Sequence, residues 1–195
     1  IVAIPAPKAQ ALLATTTDVP IALLDVLRCV EYDPCITAIA GYPPARQANL
    51  AAWQAVSCPL DSDLLWIGLD SSKRISDPSS APTQPVFVLH STAQFAKENL
   101  EAEDLKPLGD RLLAQAAEWF YPWMDSPEFV QVHRWRYAFC SRSWPQAYLT
   151  GETPWPLVCC GDWCGETRSH QPAEAALRSG SAAASWMHQT GLKIH

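Results

Sequence analysis

No glycine-rich phosphate cradle occurs in this chain. Neither GxGxxG nor GxxxxGKS/T is present among its 195 residues, and only eight of these are glycine. Backbone donors gathered at such a loop hold dinucleotides and nucleoside triphosphates, so the chain carries no fingerprint for either. A GxSxG elbow is also missing. Ser179-Gly180 falls inside a helical pattern, where the hydroxyl sits on no strained turn, and this argues against Ser-His-Asp hydrolysis. There is no HExxH, and no carboxylate pair suited to glycoside hydrolysis stands out. The seven cysteines make no CxxC pair. Cys159, Cys160 and Cys164 do cluster, but two of them lie in an apolar run. Packing is therefore the expectation for them, and no metal is expected.

Positive charge is sparse. No Lys/Arg run exceeds two, and 14 basic against 20 acidic residues give a net charge of −6. A nucleic-acid partner is not expected, because phosphate neutralisation needs a basic face. No apolar stretch approaches the roughly 20 residues of a bilayer-spanning helix. The N-terminus lacks a basic region and carries Pro5 and Pro7, so neither a signal peptide nor membrane association is expected, and a cytoplasmic location is. An initiating Met is missing too, and the chain opens on the apolar run IVAI. A domain seldom starts on an unpreceded core strand, so a fragment of a longer protein is expected.

What is present is organised around PLVCCGDWCG at 156–165. Four apolar residues run into Gly161-Asp162, a buried strand stopping at a carboxylate. A small-residue helix is expected over 174–187, with Ala176, Gly180, Ala183 and Ala184 in a stripe. A strand tip followed by a helix N-terminus is a common way to present a ligand site in α/β proteins. Asp162 there could accept hydroxyl hydrogens from a ligand, or simply cap the next turn.

Earlier in the chain, residues 1–4 read as a buried strand, followed by helices over 8–14 and 20–30. Strands are expected at 35–41, 64–69 and 86–90, the last two paired antiparallel. Ser91-Thr92 can cap a short helix to about residue 99. Residues 105–120 repeat Leu105, Leu108, Leu112, Ala116 and Trp119 at helical spacing. Residues 128–138 alternate as a strand. Phe129, Gln131, His133, Trp135 and Tyr137 take one face, and Val130, Val132, Arg134 and Arg136 take the other. The aromatic face either walls a small-molecule cleft or packs on the 105–120 helix with the arginines in water. Nine tryptophans fit a chain that encloses a flat ligand, and equally a Trp-rich core.

Six segments also resemble, in order, the renalase-like FAD-dependent oxidoreductases, relatives of the flavin-containing amine oxidases. They are IPAPKAQALL (4–13), YDPCI (32–36), LWIG with SSKR (65–68 and 71–74), FVLHS (87–91), HRWRYA (133–138) and GDWCG (161–165). The resemblance implies a mixed α+β and α/β chain. An antiparallel-sheet substrate domain with helices (20–143) would be flanked by strand–helix pieces of a Rossmann-like FAD-binding domain (1–19 and 144–195). It implies FAD as cofactor, with Gly161, Asp162, Trp163, Glu174, Ala175 and Ala176 as cofactor-binding residues. Asp162 would meet the ribityl/pyrophosphate part of FAD. Trp66, His133, Trp135 and Tyr137 would line the substrate cleft over the flavin. The partners implied are a small-molecule substrate and an N-terminal part of the same protein that completes the FAD site. The family pattern Glu-Gly-Ala stands here as Glu174-Ala175-Ala176, and the 166–173 loop is longer than usual. These departures motivate the alternative of a non-catalytic binding or interaction module with a decayed or incomplete flavin site.

Overall fold

The structure is a computed structural model that describes residues 1–50, 52–59, 61–73, 84–165 and 172–190. The chain forms two compact units, Ile1–Asp33 with Tyr137–His195, and Pro34–Arg136. It is mixed α+β, with a five-stranded antiparallel sheet. The division falls inside two strands of that sheet, β1 (Glu31–Gly41) and β5 (Phe129–Arg142).

In the Pro34–Arg136 unit, β2 (Ala55–Ser57), β3 (Leu64–Leu69) and β4 (Val86–Ser91) complete the order β2-β3-β4-β1-β5. The expected antiparallel pairing of 64–69 with 86–90 is present, with Trp66 opposite His90, and β4 in turn sets His90 opposite Thr37 of β1. β1 starts at Glu31, ahead of the expected residue 35.

One face of this sheet is the core. Ile36, Ala38 and Ala40 of β1 meet Ile67, Leu69, Phe87 and Leu89 from the neighbouring strands. Two helices cover them: α3 (Ala93–Glu98), capped by the Thr92 hydroxyl accepting from the Phe95 N–H, and α4 (Lys106–Trp119). The α4 stripe Leu108, Leu112, Leu113 and Ala116 is buried. Each such leucine contributes about 1.5–3 kcal/mol of burial free energy. Trp119, which the spacing added to that stripe, is 37% exposed. α4 approaches the sheet closely at Gly109, where a methyl group would come within 2.4 Å of Val132.

The burial of β5 reverses the packing alternative. Val130 and Val132 pack on this core, while Phe129, His133 and Trp135 are exposed. Arg134 is not a solvated arginine. Its guanidinium donates to the Leu100 and Ala102 carbonyls at 2.7 and 2.8 Å.

The unit built from the chain's two ends has its own core. α1 (Ala6–Leu13) and α2 (Ile21–Arg28) contribute Ala6, Ala9, Leu13, Leu23 and Leu27. Leu149, Leu157, Cys159, Trp163 and Cys164 meet them from the C-terminal side. α2, which the sequence assigned to the middle block, thus packs with the terminal segments. β6 (Leu149–Thr150) and β7 (Val158–Cys159) form a short antiparallel ribbon.

The expected strand at 1–4 is reduced to a parallel bridge from Val2 to Cys159, closed by Val2 N–H to Val158 O and Cys160 N–H to Val2 O. Pro5 has no N–H to extend the ladder. Ile1 and Ile4 are exposed, where a buried strand was expected. The final helix, α5 (Pro172–Gln189), begins earlier than the expected 174. Of the small-residue stripe, Ala183 is buried, whereas Ala176 and Ala184 are exposed. Most of the 166–173 loop lies outside the described residues.

Candidate functional site

Two groups of expected site residues occur, one in each unit. At the end of β7, Gly161 donates its backbone N–H to the Ser179 hydroxyl at 3.0 Å. Ser179 is buried in α5, so this bond fastens the helix to the strand tip. A side chain at Gly161 would sit 2.7 Å from the Trp163 indole nitrogen. Trp163 is wholly buried, and its indole N–H donates to the Ile4 carbonyl at 3.1 Å. The Gly161 N–H and the Trp163 indole N–H, on either side of Asp162, are therefore taken by the fold.

Asp162 differs from its neighbours. It is half-buried, and its Oδ1 accepts from the Tyr32 hydroxyl at 3.1 Å. Among the described residues no other hydrogen bond reaches this carboxylate, which leaves acceptor capacity for a ligand hydroxyl. Burial first, and then the Asp162 charge, raises the Tyr32 pKa far above its usual value. Tyr32 is therefore a neutral donor across the physiological range and holds the carboxylate in place. Separated by 130 residues from Asp162, it carries no sequence signal for this contact.

Glu174, Ala175 and Ala176 lie in the first turns of α5. Glu174 pairs with Arg178 at 2.5 Å, Ala175 is half-buried and Ala176 is exposed. Among the described residues no hydrogen bond joins these three to Asp162. The hydrogen bond between strand tip and helix runs through Ser179 instead.

In the Pro34–Arg136 unit, three of the four expected cleft residues share the sheet face opposite the core. The register places Trp66, His90 and Thr37 side by side on it. Strand alternation carries that face along β1 from Thr37 to Gly41. The Phe129 ring occupies the space a Gly41 side chain would fill, which puts Phe129 and, by alternation, His133 and Trp135 on the same face. The His133 and Trp135 rings meet edge to face at 4.2 Å. Tyr137, the fourth, belongs to the other unit, where it meets Tyr32 edge to face at 5.8 Å.

His90 is the residue that sequence reasoning missed on this face. Its ring stacks on Trp66 at 5.1 Å and 28°. Its Nδ1 lies 2.9 Å from the Thr37 hydroxyl and 3.6 Å from the Cys35 sulfur. Burial and then the Lys73 charge lower its pKa below the ordinary histidine value, so the imidazole is neutral at pH 7. Strand register alone brings these groups together, and register is not written in the FVLHS segment.

The thiols are inert by burial. It pushes Cys159 up to about 11 and Cys164 up to about 12. Cys140 reaches about 11 through burial and the nearby Asp162 charge. Cys29 is the one exposed cysteine. Because the thiolate is the attacking form, one of the seven thiols is expected to react quickly with a chromogenic aryl disulfide at pH 8, and all seven in denaturant. Two or more fast equivalents in the native protein would contradict this packing. Among the described residues no group of three or more His, Cys, Asp or Glu could hold a metal ion. Nor is any described helix long and apolar enough to cross a membrane. A scan against protein-family models finds no match to this chain.

Proposed function

We propose that the chain is part of an FAD-dependent oxidoreductase of the amine oxidase/renalase type that oxidises a small substrate. The observation that supports this most is Asp162. It is a half-buried carboxylate at the tip of a buried strand, held by a neutral phenol and still able to accept hydrogen bonds. That acceptor fits the hydroxyls of a ribityl chain better than a phosphate, whose charge a carboxylate would repel. In this reading Asp162 holds the polyol, and the first turns of α5, with Glu174, Ala175 and Ala176, lie beside the cofactor in a Rossmann-like layer. Gly161 and Trp163 act from behind by fixing the strand tip. Bound FAD would supply the acceptor for a hydride equivalent. Trp66, His133 and Trp135, which share one face of the sheet, contribute an aromatic wall that orients the substrate and excludes water.

The test is flavin uptake by the gene product at its full length, N-terminal part included. It is expected to purify yellow, or to retain added FAD through desalting. Asp162→Ala is expected to weaken retention about tenfold or more, the scale of a lost hydrogen bond to a charged acceptor. Protein that stays colourless and takes up no FAD would sink the reading. The second reading, a binding module without flavin chemistry, draws on the internal occupation of the Gly161 and Trp163 donors. It predicts that colourless result, and where decay at Ala175 and in the longer loop is the cause, Ala175→Gly with a shortened loop is expected to restore FAD uptake.

A further inference from the structure

The five-stranded sheet ends differently on its two sides. One outer strand, β2, has three residues, whereas the other, β5, has fourteen. A long outer strand is a template for another chain unless a proline, a lysine or a repelling charge blunts it. β5 contains neither proline nor lysine. Its two arginines in the Pro34–Arg136 unit are engaged within that unit, Arg134 by the Leu100 and Ala102 carbonyls and Arg136 by Glu101. Just ahead of β5, the Glu128 N–H donates to the Gly41 carbonyl of β1 at 2.8 Å. Peptide groups point to alternate sides along a strand, so Phe129, Gln131, His133 and Trp135 turn their N–H and C=O groups away from β1, to the open edge. We propose that this edge pairs antiparallel with the same strand of a second copy of this chain, about a two-fold axis at Val132. The inference stands independently of the flavin reading.

The register follows from the outward groups and the sequence. Across a two-fold axis the residues that carry outward donors and acceptors must pair with one another, odd number with odd number. Centred on Val132, the stretch 128–136 is complementary to itself. Phe129 falls opposite the partner's Trp135, and Gln131 opposite the partner's His133, as the hydrogen-bonded pairs of the ladder. Val132 meets the partner's Val132, and Glu128 meets the partner's Arg136, in the closer non-hydrogen-bonded pairs. Aromatic pairs and opposite charges are favourable cross-strand combinations. Phe129 and Trp135 are 39% and 49% exposed, and Glu128 and Arg136 are exposed as well. Centring the pair on His133 would set Arg136 against the partner's Val130, and centring it on Arg134 would set that charge against its own copy. Pro127, which has no N–H, ends the ladder just beyond Glu128.

A single strand pairing is a small contact, so a weak dimer is expected, with Kd of about 1–100 μM. Sedimentation equilibrium of the chain across that range should show the average mass rising from 21.5 kDa toward twice that value. Gln131→Pro removes an outward N–H and leaves the donors that face β1 in place, as an edge strand tolerates. It is expected to weaken association about tenfold or more, because the two-fold loses that hydrogen bond twice. Glu128→Arg and Arg136→Glu each set like charges opposite one another at both ends of the ladder, and each alone is expected to weaken association severalfold. Mixed in equal amounts, these two variants regain opposite charges at both ends and are expected to associate about as tightly as the parent. An unchanged circular dichroism spectrum identifies the folded variants, and the charge pair carries the test if Gln131→Pro does not fold. A mass that stays at that of one chain would overturn the proposal. So would association indifferent to the folded variants, or a mixture that binds no tighter than either variant alone.

Discussion

Trp163→Ala is expected to lower stability by about 3–5 kcal/mol, the range for removing a wholly buried aromatic side chain. Trp163 is the largest fully buried side chain and belongs to the core of the unit made from the two ends of the chain. Its loss leaves a cavity among α1, α2 and β7 and also frees the Ile4 carbonyl. Trp163→Phe separates the two effects. It keeps most of the ring volume but leaves that carbonyl without its indole donor, for an expected loss of about 1–2 kcal/mol. Urea unfolding checks both. A Trp163→Ala midpoint close to that of the parent would show that the ring is not a core element. Because Trp163 also adjoins Asp162, any loss of flavin affinity in these variants has to be compared with Asp162→Ala at matched folded fraction.

The second large effect is expected at Arg134. Its half-buried guanidinium holds two main-chain carbonyls, Leu100 and Ala102, in the turn between α3 and α4. Hydrogen bonds to charged donors contribute about 1.5–3 kcal/mol, so Arg134→Met is expected to cost about 2–3 kcal/mol. Arg134→Lys should recover little, because an ammonium lacks the planar fork that reaches both acceptors at once. Arg136 provides the control. It pairs with Glu101 at 2.6 Å on the exposed surface, where water and salt screen the interaction, so Arg136→Met is expected to leave the midpoint within error. Two neighbouring arginines that look alike in HRWRYA thus differ sharply in consequence. Equal midpoint shifts for Arg134→Met and Arg136→Met would refute the distinction.

That pair also shows what the sequence made legible. The period-two alternation of β5, the β3–β4 pairing, the Thr92 cap and the α4 stripe all follow from local pattern, and the structure contains each of them. Which face of β5 is buried does not follow from local pattern. Phe, His and Trp on one side and Val and Arg on the other satisfy alternation equally well either way. The choice is made by α4, whose Gly109 admits Val132, and by the two carbonyls that Arg134 can reach. At the strand tip, Gly161-Asp162 was legible as the place where a buried strand stops at a carboxylate. The Tyr32 hydroxyl that holds Asp162 and the Ser179 hydroxyl that meets Gly161 come from distant positions and depend on tertiary packing. His90 was hidden for the same reason, since only strand register sets it between Trp66 and Thr37. The short N-terminal pairing shows the opposite failure: IVAI has strand composition, but Pro5 closes the ladder after one bridge.

The bond from the Trp163 indole to the Ile4 carbonyl has a meaning for biosynthesis. The unit it closes is drawn from both ends of the chain, while Pro34–Arg136 is continuous in sequence. At roughly 5–20 residues per second, the 159 residues that separate Ile4 from Trp163 take about 8–32 seconds to synthesise. Throughout that interval the apolar faces of α1 and α2, with Leu13, Leu23 and Leu27, await their C-terminal cover. The continuous middle unit can fold as soon as it emerges. A ribosome-stalled nascent chain ending before residue 156 should therefore present those helices to chaperones and proteases, and release through residue 190 should withdraw them.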